Sequence, residues 1–122
     1  MLSKFNKTSY SNLISVLTEK EESLFKMMCE GFSSYVKTVT DMENAISVDR
    51  FRMEGEDFRD FVMSLDSSRR AAHESAIDGV KIVNRLAERH SISPIFEGDI
   101  NDRQDVAAFC EEYVKEIYGS AK

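Results

Sequence analysis

Residues 58–90 read FRDFVMSLDSSRRAAHESAIDGVKIVNRLAERH, and this stretch decides the fold. An α-helix turns 100° per residue, and counting from Asp66 sorts the side chains by direction. Phe58, Leu65, Ala76 and Val83 share one direction. Phe61, Ala72, Gly79, Leu86 and His90 stand beside them, and Val62, Val80 and Ala87 close the near edge. The result is one apolar stripe of helical period. A polar stripe of Asp66, Arg70, Asn84 and Glu88 runs alongside with His73 at its margin, and Arg69 falls inside the apolar arc. Asp66-Ser67-Ser68 is also a competent cap for a fresh helix, so the phase is firmer after residue 66 than before it.

Upstream, Gly55 marks a break, and the assignment of residues 47–55 stays open between helix and turn. Before it, Leu24, Met28, Phe32, Tyr35, Val39, Met42 and Ile46 keep a 3-4 spacing that predicts one long helix. Its start is written in Thr18-Glu19-Lys20-Glu21, a capping box in which threonine and glutamate each satisfy the other's backbone N–H. Gly31 lies beside the stripe at a cost of about 1 kcal/mol against alanine, which points to a closely packed neighbour there. Tyr10, Leu13, Ile14 and Leu17 predict a short first helix, and residues 1–8 read as a loose start. Downstream, Ser91-Ile92-Ser93-Pro94 ends the central helix. Asn101 reads as the cap of a last helix with Gln104 at its third position, carrying Val106, Phe109, Cys110, Tyr113, Val114 and Ile117 up to Gly119. The expected fold is therefore all-α: one bundle-like domain over residues 1–122 with four to five helices.

Composition narrows function. With 42% hydrophobic residues in 122, the chain is long enough for one core. Its net charge of −6 argues against general electrostatic binding of nucleic acid. No apolar run approaches the ~18 residues of a membrane span. Residues 1–7 hold no apolar signal segment, and the expected location is the cytoplasm. Cys29 and Cys110 are far apart and read as two reduced thiols packed as small apolar groups. Seven of the eight arginines lie between residues 50 and 89, a span whose one lysine is Lys81. Arginine suits bidentate contacts and buried pairs, so the middle of the chain is expected to hold specific ion pairs or an anion.

Asp66, Arg69, Arg70, His73 and Glu74 form the candidate site. Asp66 reaches Arg69 and Arg70, and Arg70 reaches Glu74, by helical neighbour spacing. Three readings compete: a ladder of surface pairs, a partly buried network that fixes a neighbouring helix, and a ligand site. In the last, the arginines grip a phosphate or carboxylate and His73 exchanges a proton. The network is preferred, because an arginine inside an apolar arc requires a partner. A metal is not expected: there are two histidines, no His-Glu-x-x-His, and two arginines that would repel a cation. Arg85 and His90 have the spacing seen in helical ribonucleases of the HEPN type, but on a straight helix they stand about 140° apart. Phosphate loops and nucleophile elbows are not found, so no catalytic residue and no cofactor is assigned and the balance leans away from an enzyme.

Arg52-Met53-Glu54-Gly55-Glu56, Leu65-Asp66 with Arg69-Arg70 and His73, Asn84-Arg85-Leu86, Pro94-Ile95-Phe96 with Gly98-Asp99, and Arg103 with Val106-Ala107 and Phe109 follow one another along the chain. This set, over residues 50–118, resembles a small bacterial family of all-helical domains of unknown function. The resemblance implies a cytoplasmic helical domain and transfers no catalytic residue. The leading expectation is a non-catalytic domain acting through a homodimer or another protein partner. The alternative is a small-ligand binding protein or enzyme that uses the Arg/His/Asp cluster on an anionic metabolite.

Overall fold

The described residues form four helices: α1 (Lys7–Ile14), α2 (Glu19–Asp49), α3 (Gly55–Arg89) and α4 (Arg103–Tyr118). The computed structural model describes residues 3–49 and 55–119. The expected break before Gly55 and the Arg52-Met53-Glu54 segment lie outside the described residues. The all-helical expectation holds, and α3 runs unbroken through Asp66, so Asp66-Ser67-Ser68 sits mid-helix and caps nothing.

The capping box at α2 is formed as the sequence predicts. Thr18 N–H donates to Glu21 Oε1 at 3.0 Å, and Glu21 N–H donates to Thr18 Oγ1 at 3.2 Å. At α4 the cap is one residue later than expected. Asp102, not Asn101, accepts from Gln104 N–H at 2.9 Å. Asn101 N–H is instead held by Asp99 Oδ1 at 2.9 Å. α3 ends where Ser91 turns into the left-handed region at φ 59°, and Ile92 N–H closes back on Ala87 O at 2.8 Å.

α2 and α3 form an antiparallel hairpin. At 31 and 35 residues they extend about 46 and 52 Å. α4, with 16 residues, extends only about 24 Å and lies across the hairpin at the end where α2 starts and α3 finishes, beside α1. The core sits where α4 covers the hairpin. Phe32 and Phe109 meet edge to face at 5.0 Å, and Tyr113 packs on Phe32 at 5.7 Å. Val80, Val83 and Ala87 of α3 are fully enclosed beside them. Edge-to-face geometry sets the positive ring edge against the negative ring face, adding to the burial of apolar area.

Gly79 is the close approach of the hairpin. A methyl built there would lie 3.0 Å from Cε1 of the Phe32 ring. Gly31, where the sequence suggested a close neighbour, has open space around it. The contact exists on the facing helix instead.

The start of the chain is packed from residue 3, against the expectation of a loose segment through residue 8. Phe5 is buried among Tyr10, Phe109 and Tyr113. Its backbone pairs antiparallel with Phe96, with Asn6 N–H on Ile95 O and Glu97 N–H on Lys4 O, both 2.8 Å. Glu112 Oε1 of α4 accepts from Lys4 N–H at 3.0 Å. Asn84 of α3 brackets the other side of the same loop. Its Oδ1 accepts from Ile95 N–H at 2.9 Å and Phe96 N–H at 3.0 Å, and its Nδ2 donates to Phe96 O at 3.3 Å.

Candidate functional site

α4 begins at the level of Tyr35 and His73, and beyond that level the hairpin is uncovered. Residues 36–47 of α2 and 57–72 of α3 form an arm in which no described side chain is fully buried. Met42, Ile46, Phe58, Phe61, Val62 and Leu65 each keep part of their surface in solvent, and none packs on the buried core cluster. The apolar stripe of α3 spans about 100° here, the width of an ordinary core-facing helix stripe. Among the described residues only α2 covers it.

The polar cluster read from the sequence is divided by this geometry. Asp66 holds Arg69 Nη2 at 2.5 Å and Arg70 Nη2 at 2.8 Å. The two arginine side chains are 51% and 65% exposed. The expected internal network is therefore corrected to a surface ladder. Arg69 does lie on the apolar side of α3, but that side is open along the arm, so its head reaches water without a buried partner. The Arg69 and Arg70 guanidinium groups hold the Asp66 carboxyl below its usual range, with the Arg69 hydrogen bond the larger cause.

His73 turns the other way and is 6% exposed. Its Nδ1 lies 3.3 Å from the Tyr35 hydroxyl, and its Nε2 is buried with no hydrogen-bond partner. Burial pushes the imidazole toward its neutral form, and the charges of Arg103 and Arg69 push the same way, against Glu74. Above it lies a cleft of about 540 Å³ between α3 and the start of α4, lined by His73, Glu74, Asp78, Lys81, Asn101 and Arg103 among others. The sequence reading placed His73 and Glu74 at a site. It missed Lys81 and Arg103, since Lys81 lies two turns further along α3 and Arg103 comes from a different helix. Nothing in the local pattern announces that Arg103 joins them.

Arg85 and His90 do not converge. Arg85 lines a hollow under the 91–100 loop, while His90 Nε2 meets Glu21 Oε1 at 2.9 Å. Glu21 is buried, and it also lies 3.4 Å from Arg89 Nη1. The Thr18 N–H, followed by His90, holds its carboxyl below the usual range. Cys29 and Cys110 are free and buried, and burial pushes their thiols up to about 11 and about 12. Both therefore stay protonated and unreactive near neutral pH. Among the described residues no three His, Cys, Asp or Glu side chains gather as metal ligands, and no helix is long and apolar enough to cross a membrane.

A protein-family model described as Protein of unknown function (DUF3232) matches residues 3–122. Neither a curated protein nor a solved structure matches the chain.

Proposed function

The chain belongs to the family Protein of unknown function (DUF3232), whose description assigns no activity, and from that premise we propose a non-catalytic domain that works by self-association. Two copies would pack their α2–α3 arms against each other. The observation that carries this reading is the arm itself: an apolar seam along two helices with half its cover absent. In the core half of the hairpin, α4 supplies that cover. In the arm half, the arm of a second copy would take the same place and complete a four-helix arrangement.

Area and charge both favour a second copy as the occupant. The chain exposes 8227 Å², where a compact monomer of its mass would expose about 6,700 Å². The excess covers the roughly 800 Å² that each partner gives to a standard interface. In sequence, residues 41–60 carry seven acids against Arg50, Arg52 and Arg59, while Arg69 and Arg70 stand at the base of the arm. An antiparallel two-fold pairing sets far end against base, acid against arginine, at both ends at once.

Sedimentation velocity across a concentration series tests the reading. A mass of two chains is expected, with dissociation on dilution and weakening at high salt. A single-chain mass at every concentration would end it. The alternative of an anionic ligand held by Asp66, Arg69, Arg70, His73 and Glu74 together is less well supported, because those side chains point to two separate places.

A further inference from the structure

At the end of the hairpin opposite the arm, α1, the start of α2 and the end of α4 surround a cleft of about 400 Å³. That lies within the roughly 300–1,000 Å³ of small-molecule sites. Phe25 and Tyr113, both buried, form its floor. Ile14 and Tyr118 stand at its mouth, 42% and 54% exposed. Aromatic rings line it in sequence: Tyr10 packs on Phe25 at 5.6 Å and on Tyr113 at 5.8 Å, and Tyr113 on Tyr118 at 6.2 Å. Ring faces and edges of this kind receive a further ring by offset or edge-to-face contact.

Polar atoms converge at one place in this lining. The Tyr113 hydroxyl meets both the Tyr10 hydroxyl and the Cys29 thiol, a row of three groups that carry one hydrogen each. Tyr10 ends the row. If it donates to Tyr113, its oxygen lone pairs are left over. If it accepts from Tyr113, its hydrogen is left over. Either way Tyr10 keeps a hydrogen-bonding position for a guest, and a guest hydroxyl fits both cases because it donates and accepts.

The same lining selects against ions. Burial raises Tyr10, Cys29 and Tyr113 above their ordinary values, so the interior is neutral near pH 7. Charge is confined to the rim, where Glu22, Lys26 and Glu30 alternate in sign at i, i+4 and i+8 along α2, within reach of one another. An ion entering the cleft would exchange water for an uncharged aromatic lining.

We infer that the cleft between α1, the start of α2 and the end of α4 binds a neutral aromatic molecule of one or two rings bearing a hydroxyl, its rings seated among Tyr10, Phe25, Tyr113 and Tyr118 and its hydroxyl bonded to Tyr10. This inference stands apart from the pairing of the arms.

The test is a set of isoleucine-methyl proton–carbon spectra of the full chain during titration with 2-naphthol, naphthalene and 2-naphthoate. Isoleucines report on each apolar region at once: Ile14 and Ile117 line this cleft, Ile92 and Ile100 line the hollow under the 91–100 loop, and Ile46 stands on the arm. 2-Naphthol should move Ile14 and Ile117 saturably and leave Ile46, Ile92 and Ile100 in place. Its midpoint should lie roughly fivefold below that of naphthalene, the worth of one net hydrogen bond, and below that of the charged 2-naphthoate. Tyr10→Phe, which keeps the ring and its packing, should bring the 2-naphthol midpoint up to that of naphthalene and leave the naphthalene midpoint unchanged. The inference is overturned if no probe moves Ile14 and Ile117, if Ile46 moves in step with them, or if naphthalene or 2-naphthoate binds as tightly as 2-naphthol. Survival of the 2-naphthol advantage in Tyr10→Phe would also overturn it. Ile14 and Ile117 signals that follow protein concentration and ignore the probes would assign the cleft to a second copy of the chain and overturn it as well.

Discussion

Gly79→Ala and Gly31→Ala are the same chemical change on the two long helices, and the structure predicts opposite results. Alanine gains about 1 kcal/mol over glycine in a helix interior. At Gly31 nothing stands near the added methyl, so that gain is kept. At Gly79 the methyl would lie 3.0 Å from Phe32 Cε1 and 3.4 Å from Cζ, inside the ~3.5–4.0 Å at which carbon atoms rest. The ring has nowhere to go. Phe32 is 1% exposed, and Phe109 and Tyr113 hold it edge to face. Overpacking of this kind costs about 1–3 kcal/mol. The propensity gain is common to both variants and cancels in the comparison. Gly79→Ala should therefore be less stable than Gly31→Ala by about 1–3 kcal/mol. Each kcal/mol shifts the melting temperature of a chain this size by roughly 3–6 °C. Urea melts with linear extrapolation, run beside thermal melts, would measure the difference. Equal stabilisation by both substitutions would refute the close packing of α3 on Phe32, and with it the register of the hairpin.

Three further outcomes follow from the same coordinates. Asn84→Ala strips the acceptor from the Ile95 and Phe96 N–H groups and should cost about 2–6 kcal/mol in urea melts, given ~1–3 kcal/mol for each buried donor left unpaired. Thr18→Ala removes half of the α2 capping box and should cost about 1 kcal/mol, with Thr18→Ser recovering most of it. Acid should destabilise the protein in two stages. The His73 imidazole is lowered from its ordinary 6.5, so the unfolded chain takes up its proton first and stability falls as the pH drops below 6.5. The Glu21 carboxyl is lowered from 4.5, so its contribution is present above that value and is lost as the pH falls through its lower folded value. In melts across this range, His73→Leu should flatten the first stage alone, and Glu21→Gln should reduce the second, to which the lowered Asp66 and Asp105 carboxyls also contribute.

What the sequence revealed and what it hid divide along chain separation. The phase of α3 around Ala76, Val80, Val83 and Ala87 is legible, because a stripe on one helix is a local pattern. The Thr18–Glu21 box is legible because both partners lie within one turn. The Glu21–His90 pair, the Phe5–Phe96 bridge and the Glu112 contact with Lys4 join residues from different elements, and no periodicity announces them. Gly31 and Gly79 show the same limit. A glycine on a stripe signals close packing somewhere, but which of two facing helices carries the contact depends on how they are set against each other.

The Arg69 misreading has a different cause. An apolar arc implies burial only where something covers it, and the length of α4 decides where cover ends. Residues 57–72 carry the same pattern as residues 76–87 but stand past the start of α4. The pattern that suggested a buried network is an apolar arc left uncovered along the arm, and it is this arc on which the proposed pairing rests. His73, at the boundary between the covered and open halves, was visible as a residue of interest. Its companions Lys81 and Arg103 were not.

The mass of the protein in solution, by sedimentation velocity on the wild type and on Val62→Lys, tests the central claim most directly. Val62 stands on the arm at the edge of the α3 stripe and is partly exposed, so a lysine there can reach water in a single chain but not inside a paired arm. The account predicts a mass of twice 13.9 kDa for the wild type, and a single-chain mass with unchanged helical circular dichroism for Val62→Lys. A wild type that remains one chain at every concentration, or a variant that still pairs as the wild type does, would contradict it.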